Sequence, residues 1–307
     1  MNRFELTDKI KQAALDSGFT KVGITSAAPF DEAADRLEAW VASGAHGLMS
    51  YMERGHEKRR DVKNILPNAK SILSLALNYY YDSENNQKLK ISRYAWGDDY
   101  HDVIGKMLER LLTQIKVIAP EAEGRWYVDT GPLLEKAIAE RAGIGWIGKH
   151  TNLITREIGS WVFLAEIILN LDLEADTPAE DLCGTCNACV EACPTDALHE
   201  PYKLDATRCI PYLTIELKAD NQIDSELASK MDGWLYGCDI CQEVCPWNRF
   251  ERQTPISAFA PRLENLSLTK EKIETMEQDE FSNRFRKSPI KRAKLAGLKR
   301  NVKAMST

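Results

Sequence analysis

A chain of 307 residues with 44% hydrophobic content can bury a substantial core and fits about two domains, which excludes a disordered chain. Its net charge of −6 excludes an evenly basic nucleic-acid binder, and no run approaches the ~18 apolar residues that span a bilayer. The opening MNRFELTDKIKQAALDSGF is charged and amphipathic with no apolar signal core, so a cytosolic location away from the membrane is expected.

In chain order, Phe4, Ile10, Ala14 and Leu15 share a helical face that ends at Gly18, and residues 21–25 read as a strand. A second helix is predicted over 31–43. Residues 71–80 (SILSLALNYY) have strand composition, 102–118 helical periodicity, 125–128 a short strand, 133–141 a helix, and 161–169 a buried strand. The loops at 44–55 and 171–181 are predicted as the mobile connections. Residues 281–307 hold nine Lys/Arg and no Asp or Glu. An acidic body therefore carries a basic end, which suits either a local anionic partner or a solvated helical terminus.

All eight cysteines lie between Cys183 and Cys245. In a reducing compartment they point to metal ligation and not to disulfides. Composition thus divides the chain into residues 1–175, a cysteine-rich 176–255, and a basic tail 256–307. Cys183, Cys186, Cys189 and Cys193, followed by Pro194, make C-x2-C-x2-C-x3-C-P, the run by which bacterial ferredoxins hold iron–sulfur clusters. Cys238, Cys241 and Cys245 with Pro246 repeat its later part, and Cys209 completes a second set of four. Because the fourth cysteine of such a run serves the other cluster, one [4Fe–4S] cluster is assigned to Cys183, Cys186, Cys189 and Cys245. The second goes to Cys193, Cys209, Cys238 and Cys241. Structural zinc also uses C-x2-C pairs, but it explains neither the third x2-spaced thiolate nor the two C-P endings. A plain ferredoxin would need only this segment, leaving the first half without a role.

Gly143, Gly145 and Gly148 form a G-x-G-x-x-G. A dinucleotide site needs a strand before it and a helix after it. Here a predicted helix precedes and Lys149-His150-Thr151-Asn152 opens none, so the motif does not read as one.

Taken together, VDTGPLLEKAIAERAGIGWIGKHTNLI at 128–154, SRYAWGDDYH at 92–101, the double cysteine run and CPWN at 245–248 closely resemble the epoxyqueuosine reductase family. These are the cobalamin-dependent enzymes of the last step of queuosine synthesis on tRNA. The resemblance covers nearly the whole chain. It implies an α+β fold: an N-terminal nitroreductase-like cobalamin-binding domain, a ferredoxin-like double [4Fe–4S] domain and a short basic helical tail. The reaction implied is two-electron removal of the epoxide oxygen of epoxyqueuosine at the wobble position, leaving a cyclopentene and water. Longer members continue into a helical-repeat domain that helps hold tRNA, whereas this sequence stops soon after Lys299-Arg300-Asn301.

The resemblance also distributes roles. Asp129, which composition alone would read as a helix cap, looks like the proton donor, provided that burial raises its pKa. Arg59, Tyr94, Asn152 and Ser160 are candidate corrin contacts, with Asp239 and Ile240 of the second cluster loop closing the gap between cluster and cobalt. Lys218, in a stretch resembling the family's Y-L-T-I-E-x-K, together with Lys291, Arg292, Lys299 and Arg300, is expected to meet the tRNA backbone. The expected partners are tRNA and a low-potential donor such as flavodoxin or ferredoxin, with the chain acting as a monomer. Two other readings stay open. A reductive dehalogenase would also join a corrinoid domain to two clusters, and an electron-transfer adaptor would dock a partner protein through its first half.

Overall fold

Every residue from Ser71 to Asn78 is buried, which is why this strand shows no polar alternation: it lies inside a sheet covered on both faces. The computed structural model describes residues 1–83 and 89–305. The main sheet is antiparallel, with β1 (Lys21–Ser26), β2 (Ser71–Asn78), β4 (Gly124–Tyr127) and β7 (Val162–Leu169) in the order β1-β2-β7-β4. Of the shorter strands, β5 (Trp146–Ile147) and β6 (Leu153–Ile154) pair as a hairpin, and β3 (Lys90–Ile91) pairs in parallel with β8 (Trp234–Tyr236).

The strand period of two divides the sheet's faces. Leu73, Leu75 and Leu77 of β2, with Ala165 and Ile167 of β7, meet Ile10 and Ala14 of α1 (Arg3–Asp16) and Ile104, Leu108, Leu111 and Ile115 of α4 (Tyr100–Ile118). Each of those α4 side chains is fully buried, worth about 1.5–3 kcal/mol of transfer free energy apiece. α1 stops where Gly18 takes φ 94°, a left-handed turn that glycine adopts without strain. On the opposite face Ile72 and Ile168 pack with Ile138, and Ala76 with Ala139 and Ala142. Ile138 and Ala139 belong to α5 (Glu135–Arg141). Beside that face, α2 (Asp31–Ala42) is tied to the short α3 (His56–Arg60) by Arg60, which pairs with Asp35 at 2.6 Å and Glu38 at 3.0 Å. The glycine-rich segment after α5 forms the β5–β6 hairpin, so no helix opens there.

Two expectations are corrected. The 171–181 connection is strapped down, not loose. Asp176 Oδ2 accepts the Ile24 N–H at 2.7 Å, its own N–H donates to Ile24 O at 2.8 Å, and Oδ1 pairs with Lys11 at 2.6 Å. The 44–55 loop is also anchored, since Leu48 N–H donates to Tyr212 Oη at 3.0 Å and Gly47 sits so close to that ring that a Cβ would lie 2.5 Å from Oη.

The basic tail is helical, as expected, and it folds onto the body. Residues beyond 256 form a folded helical end, in which Ile273, Met276, Phe281, Phe285, Ile290, Leu298 and Val302 pack on Leu89, Ile91, Trp96, Leu235 and Tyr236. With β3 joined to β8, the three composition blocks are interlocked rather than strung in line. Among the described residues no helix is long and apolar enough to cross a membrane.

Candidate active site and cluster centres

A cavity of about 1580 Å³ opens where these blocks meet. This exceeds the ~300–1,000 Å³ of ordinary small-molecule sites. One wall is the start of α4 and the loop after β4, a second runs through Tyr51 and Arg59, a third carries Cys209, Tyr212 and Tyr236, and Lys287, Lys291 and Arg292 form part of the rim.

Asp129 sits on the first wall, just beyond β4. Its φ of 57° is left-handed, a region that aspartate tolerates better than most side chains. Its backbone N–H donates to Glu135 Oε1 at 2.6 Å, which holds the turn. Asp129 Oδ2 accepts from Tyr100 Oη at 2.5 Å and lies 3.3 Å from His101 Nε2. The other ring nitrogen of His101 is 2.7 Å from Asp99 Oδ1, and Asp99 also caps α4 by accepting from His101 N–H at 3.1 Å. The Tyr100 ring is fixed between Phe163 and His101, with centroids at 4.4 and 4.1 Å.

The electrostatics overturn the expectation that burial raises the Asp129 pKa. Burial does push this carboxyl up, but the His101 and Tyr100 contacts outweigh it and leave the carboxyl below its ordinary value. For His101, burial pulls down while Asp129 and Asp99 raise the ring to about 9. At neutral pH the proton therefore resides on His101, beside an ionised Asp129. Behind the loop, burial followed by Asp129 raises Glu135 to about 7. Burial and then Glu135 raise Glu166 well above the carboxylate range. Glu166 is buried on β7 against Glu135, and a proton kept on Glu166 is what allows these two acids to face each other.

The corrin candidates separate. Arg59 and Tyr94 line the cavity; the Arg59 guanidinium is steadied by the carbonyls of Arg54 and Tyr51, and the Tyr94 ring packs edge-on to Tyr100. Asn152, Ser160, Asp239 and Ile240 do not line it. Ser160 is buried in a network, its N–H donating to Asn248 Oδ1 at 2.7 Å and its hydroxyl taking a bond from Gln242 at 3.1 Å. Asp239 is turned onto Ser92 Oγ and the Arg93 N–H. Asn152 closes the β5–β6 turn, and Ile240 is half-buried at the head of a four-residue helix.

The basic candidates separate too. Lys291 and Arg292 border the cavity, Arg292 paired with Glu216 at 2.8 Å. Lys218 is exposed outside it, and Lys299 also lies elsewhere, on helix Lys294–Ala304. Arg300 is a correction: its guanidinium donates to the carbonyls of Leu213 (2.7 Å), Leu217 (3.1 Å), Lys218 (3.1 Å) and Asn221 (3.3 Å). Those bonds pin the last helix to the protein and leave little for a phosphate.

Cys183, Cys186, Cys189 and Cys245 line one small cavity of about 30 Å³ with Lys149, His150, Ile154, Pro246 and Trp247. Trp146 Nε1–H points at Cys183 Sγ, 3.5 Å away. The remaining thiols neighbour one another: burial and then Cys193 push Cys209 up to about 12, and Cys241 feels Cys209 and Cys193 in addition to its own burial. Cys189 also acts on Cys241, so the two groups adjoin. Among the described residues no three His, Cys, Asp or Glu converge closely enough for a single metal ion. Thiols that ring a space suit a polynuclear cluster, whereas tetrahedral zinc draws its sulfurs to about 2.3 Å. Cys209 lines the large cavity as well, which sets the second group of thiols against it.

Residues 182–248 match the family model of the 4Fe-4S double cluster binding domain, and residues 59–130 match that of epoxyqueuosine reductase QueG, DUF1730. An epoxyqueuosine reductase of Cellulophaga algicola is 47% identical over 297 residues, 96% of this chain and 96% of that protein. The chain belongs to the epoxyqueuosine reductase family. A second family member, from Leadbetterella byssophila, is 46% identical over 97% of each chain. Among solved structures, an epoxyqueuosine reductase crystallised with an epoxyqueuosine-modified tRNA-Tyr stem loop superposes with a TM-score of 0.91 at 35% identity, over 99% of this chain and 81% of that one. The Bacillus subtilis epoxyqueuosine reductase, captured with its catalytic aspartate loop swung out of the active site, gives 0.90 at 33% identity, over 99% and 82%. The mixed α and β architecture and the double-cluster segment expected from sequence are those of this family.

Sequence reasoning missed Asp99, Tyr100, His101, Glu135 and Glu166. The available signal was the D-x-H at 99–101, where a helix-capping acid places a histidine on the first turn.

Proposed function

We propose that this chain reduces epoxyqueuosine to queuosine in tRNA. The epoxide takes up two electrons and two protons, both C–O bonds break, and the oxygen leaves as water with a cyclopentene behind. One observation carries the reading: the large cavity has the Asp129–His101 pair on one wall and Cys209 on another, so proton supply and electron supply face the same space.

Cobalamin fits that space by size, and Arg59 and Tyr94 are the residues that would hold it. When bound, it would supply the strongly reducing centre that a two-electron deoxygenation needs. Each other part belongs to the chain. Cys183, Cys186, Cys189 and Cys245 would hold one [4Fe–4S] cluster and Cys193, Cys209, Cys238 and Cys241 the other, and Cys209 of the second set lines the cavity. A low-potential flavodoxin or ferredoxin supplies the electrons, and the chain works as a monomer in the cytoplasm, where tRNA is modified.

His101, charged at neutral pH, holds a proton 3.3 Å from Asp129 Oδ2. Asp129 relays it to the oxygen released from the ring, and Tyr100 orients the carboxylate. Lys287, Lys291 and Arg292 at the rim meet phosphates, which positions the tRNA without reading its sequence.

Anaerobic titration with cobalamin tests the cavity assignment. One corrin per chain is expected, weakened by Arg59→Ala; a cluster-replete protein that takes up no corrin would leave the cavity to another ligand and favour the electron-transfer adaptor.

A further inference from the structure

The turn that joins β5 to β6 aims a histidine at the first group of thiols. Gly148 N–H bonds to Asn152 O at 2.9 Å and Thr151 N–H to Gly148 O at 2.8 Å, with Thr151 at φ 66°. Lys136 Nζ clamps Thr151 O from outside at 2.7 Å. Within the turn, His150 Nδ1 accepts the Asn152 N–H at 3.1 Å. A ring nitrogen that accepts carries no proton, so the neutral imidazole bears its hydrogen on Nε2. That Nε2 is buried and has no partner in the protein, and His150 is only 3% exposed. Buried donors are almost always satisfied, and the space His150 lines is the one ringed by Cys183, Cys186, Cys189 and Cys245.

From this we infer that His150 Nε2–H donates a hydrogen bond to a sulfur of the cluster held by those four cysteines, and that this bond raises the cluster's reduction potential. The inference rests on the proposed sharing of the eight cysteines. A donor aimed at sulfur favours the more negative, reduced state, one of the means by which proteins set cluster potentials. The neighbouring Lys149 plays a separate part. Its ammonium binds Gly184 O, Cys186 O and Asn187 Oδ1 at 2.7, 2.8 and 3.0 Å, which fastens the ligand loop over the same space. His150 is thus a positioning and tuning residue for electron delivery, on the small thiol-lined space and not among the residues that line the large cavity.

The test is an EPR-monitored redox titration of anaerobically reconstituted protein with about eight iron per chain. Wild type should show two midpoints. His150→Leu should move one midpoint to more negative potential and leave the other in place, and His150→Gln, which keeps an N–H donor, should move it back toward wild type. Pulsed EPR in deuterated buffer should show one exchangeable deuteron coupled to that cluster that is lost in His150→Leu, while the coupling from Trp146 Nε1 beside Cys183 is common to both proteins. If His150→Leu sheds one cluster, retention of all the iron by His150→Gln supports the same bond. A fully loaded His150→Leu variant with both midpoints unchanged would overturn the inference, as would a His150→Gln variant that shifts or loses iron as far as Leu does. A wild-type protein without two clusters would overturn the cysteine sharing beneath it.

Discussion

His101 Nε2 lies 3.3 Å from Asp129 Oδ2 while its Nδ1 lies 2.7 Å from Asp99 Oδ1, so one imidazole bridges two carboxylates. The two carboxylates hold His101 charged at neutral pH and the imidazolium holds Asp129 ionised; in the proposed reaction this bridge is the proton store.

Asp129→Asn separates the relay from the turn that carries it. Asparagine also tolerates the left-handed backbone and keeps a hydrogen-bonding side chain, but it cannot pass a proton. Turnover should fall by about 10²–10⁴-fold with clusters and corrin retained. Near-wild-type turnover in a cofactor-replete variant would remove Asp129 from the proton path.

Asp99→Asn should shift the pH profile. His101 is raised from 6.5 to about 9 by Asp129 and Asp99 against the pull of burial. The stability and the proton that its charged form contributes are therefore fully present below about 6.5 and are lost as pH rises through about 9. Asparagine caps a helix as well as aspartate does, so α4 should persist while the alkaline limb of activity moves toward neutrality. An alkaline limb that stays in place would exclude His101 as its origin.

The basic residues should behave in two ways. Lys291→Gln combined with Arg292→Gln should flatten the salt dependence of tRNA binding, by up to about 0.9 in log–log slope for each phosphate no longer neutralised. Arg300→Ala should instead cost about 1 kcal/mol or more of stability, because it removes the hydrogen bonds to the part-buried carbonyls of Leu213 and Leu217, and it should leave the slope alone. Denaturant midpoints and binding isotherms at several salt concentrations distinguish the two.

Glu166→Gln probes the acid pair behind the loop. Glu166 keeps its proton in the folded protein and gives it up above about 4.3 when unfolded, so the folded state loses stability as pH rises toward the raised folded-state value. Glutamine removes that loss and can still donate to Glu135. Its melting temperature should therefore fall less between pH 5 and 8 than that of wild type. Equal slopes would mean that Glu166 is ionised in the fold.

The long periodic elements were legible in the sequence because burial alone shapes them: α1, α4, β2 and β7 fall within a residue or two of their predicted spans. The cysteines were legible because their spacing is itself the geometry of the site. Other features required tertiary contacts. Glu166 interrupts the apolar run VFLAEIIL without announcing a partner, since Glu135 reaches it from another element. Ser160 and Arg300 looked available because nothing local shows Asn248 or the carbonyls of 213–221 approaching them. The basic end was read by charge, while its apolar side chains, Phe281 and Phe285 among them, build a core of their own.

The central claim is tested most directly by nucleoside analysis. Anaerobically reconstituted protein with two clusters, cobalamin and a low-potential reductant is incubated with tRNA bearing epoxyqueuosine, and the digested nucleosides are resolved by mass spectrometry. The expected result is conversion of epoxyqueuosine to queuosine, lighter by one oxygen and dependent on added cobalamin. Unchanged epoxyqueuosine in a fully loaded preparation, or the same yield without cobalamin, would contradict it.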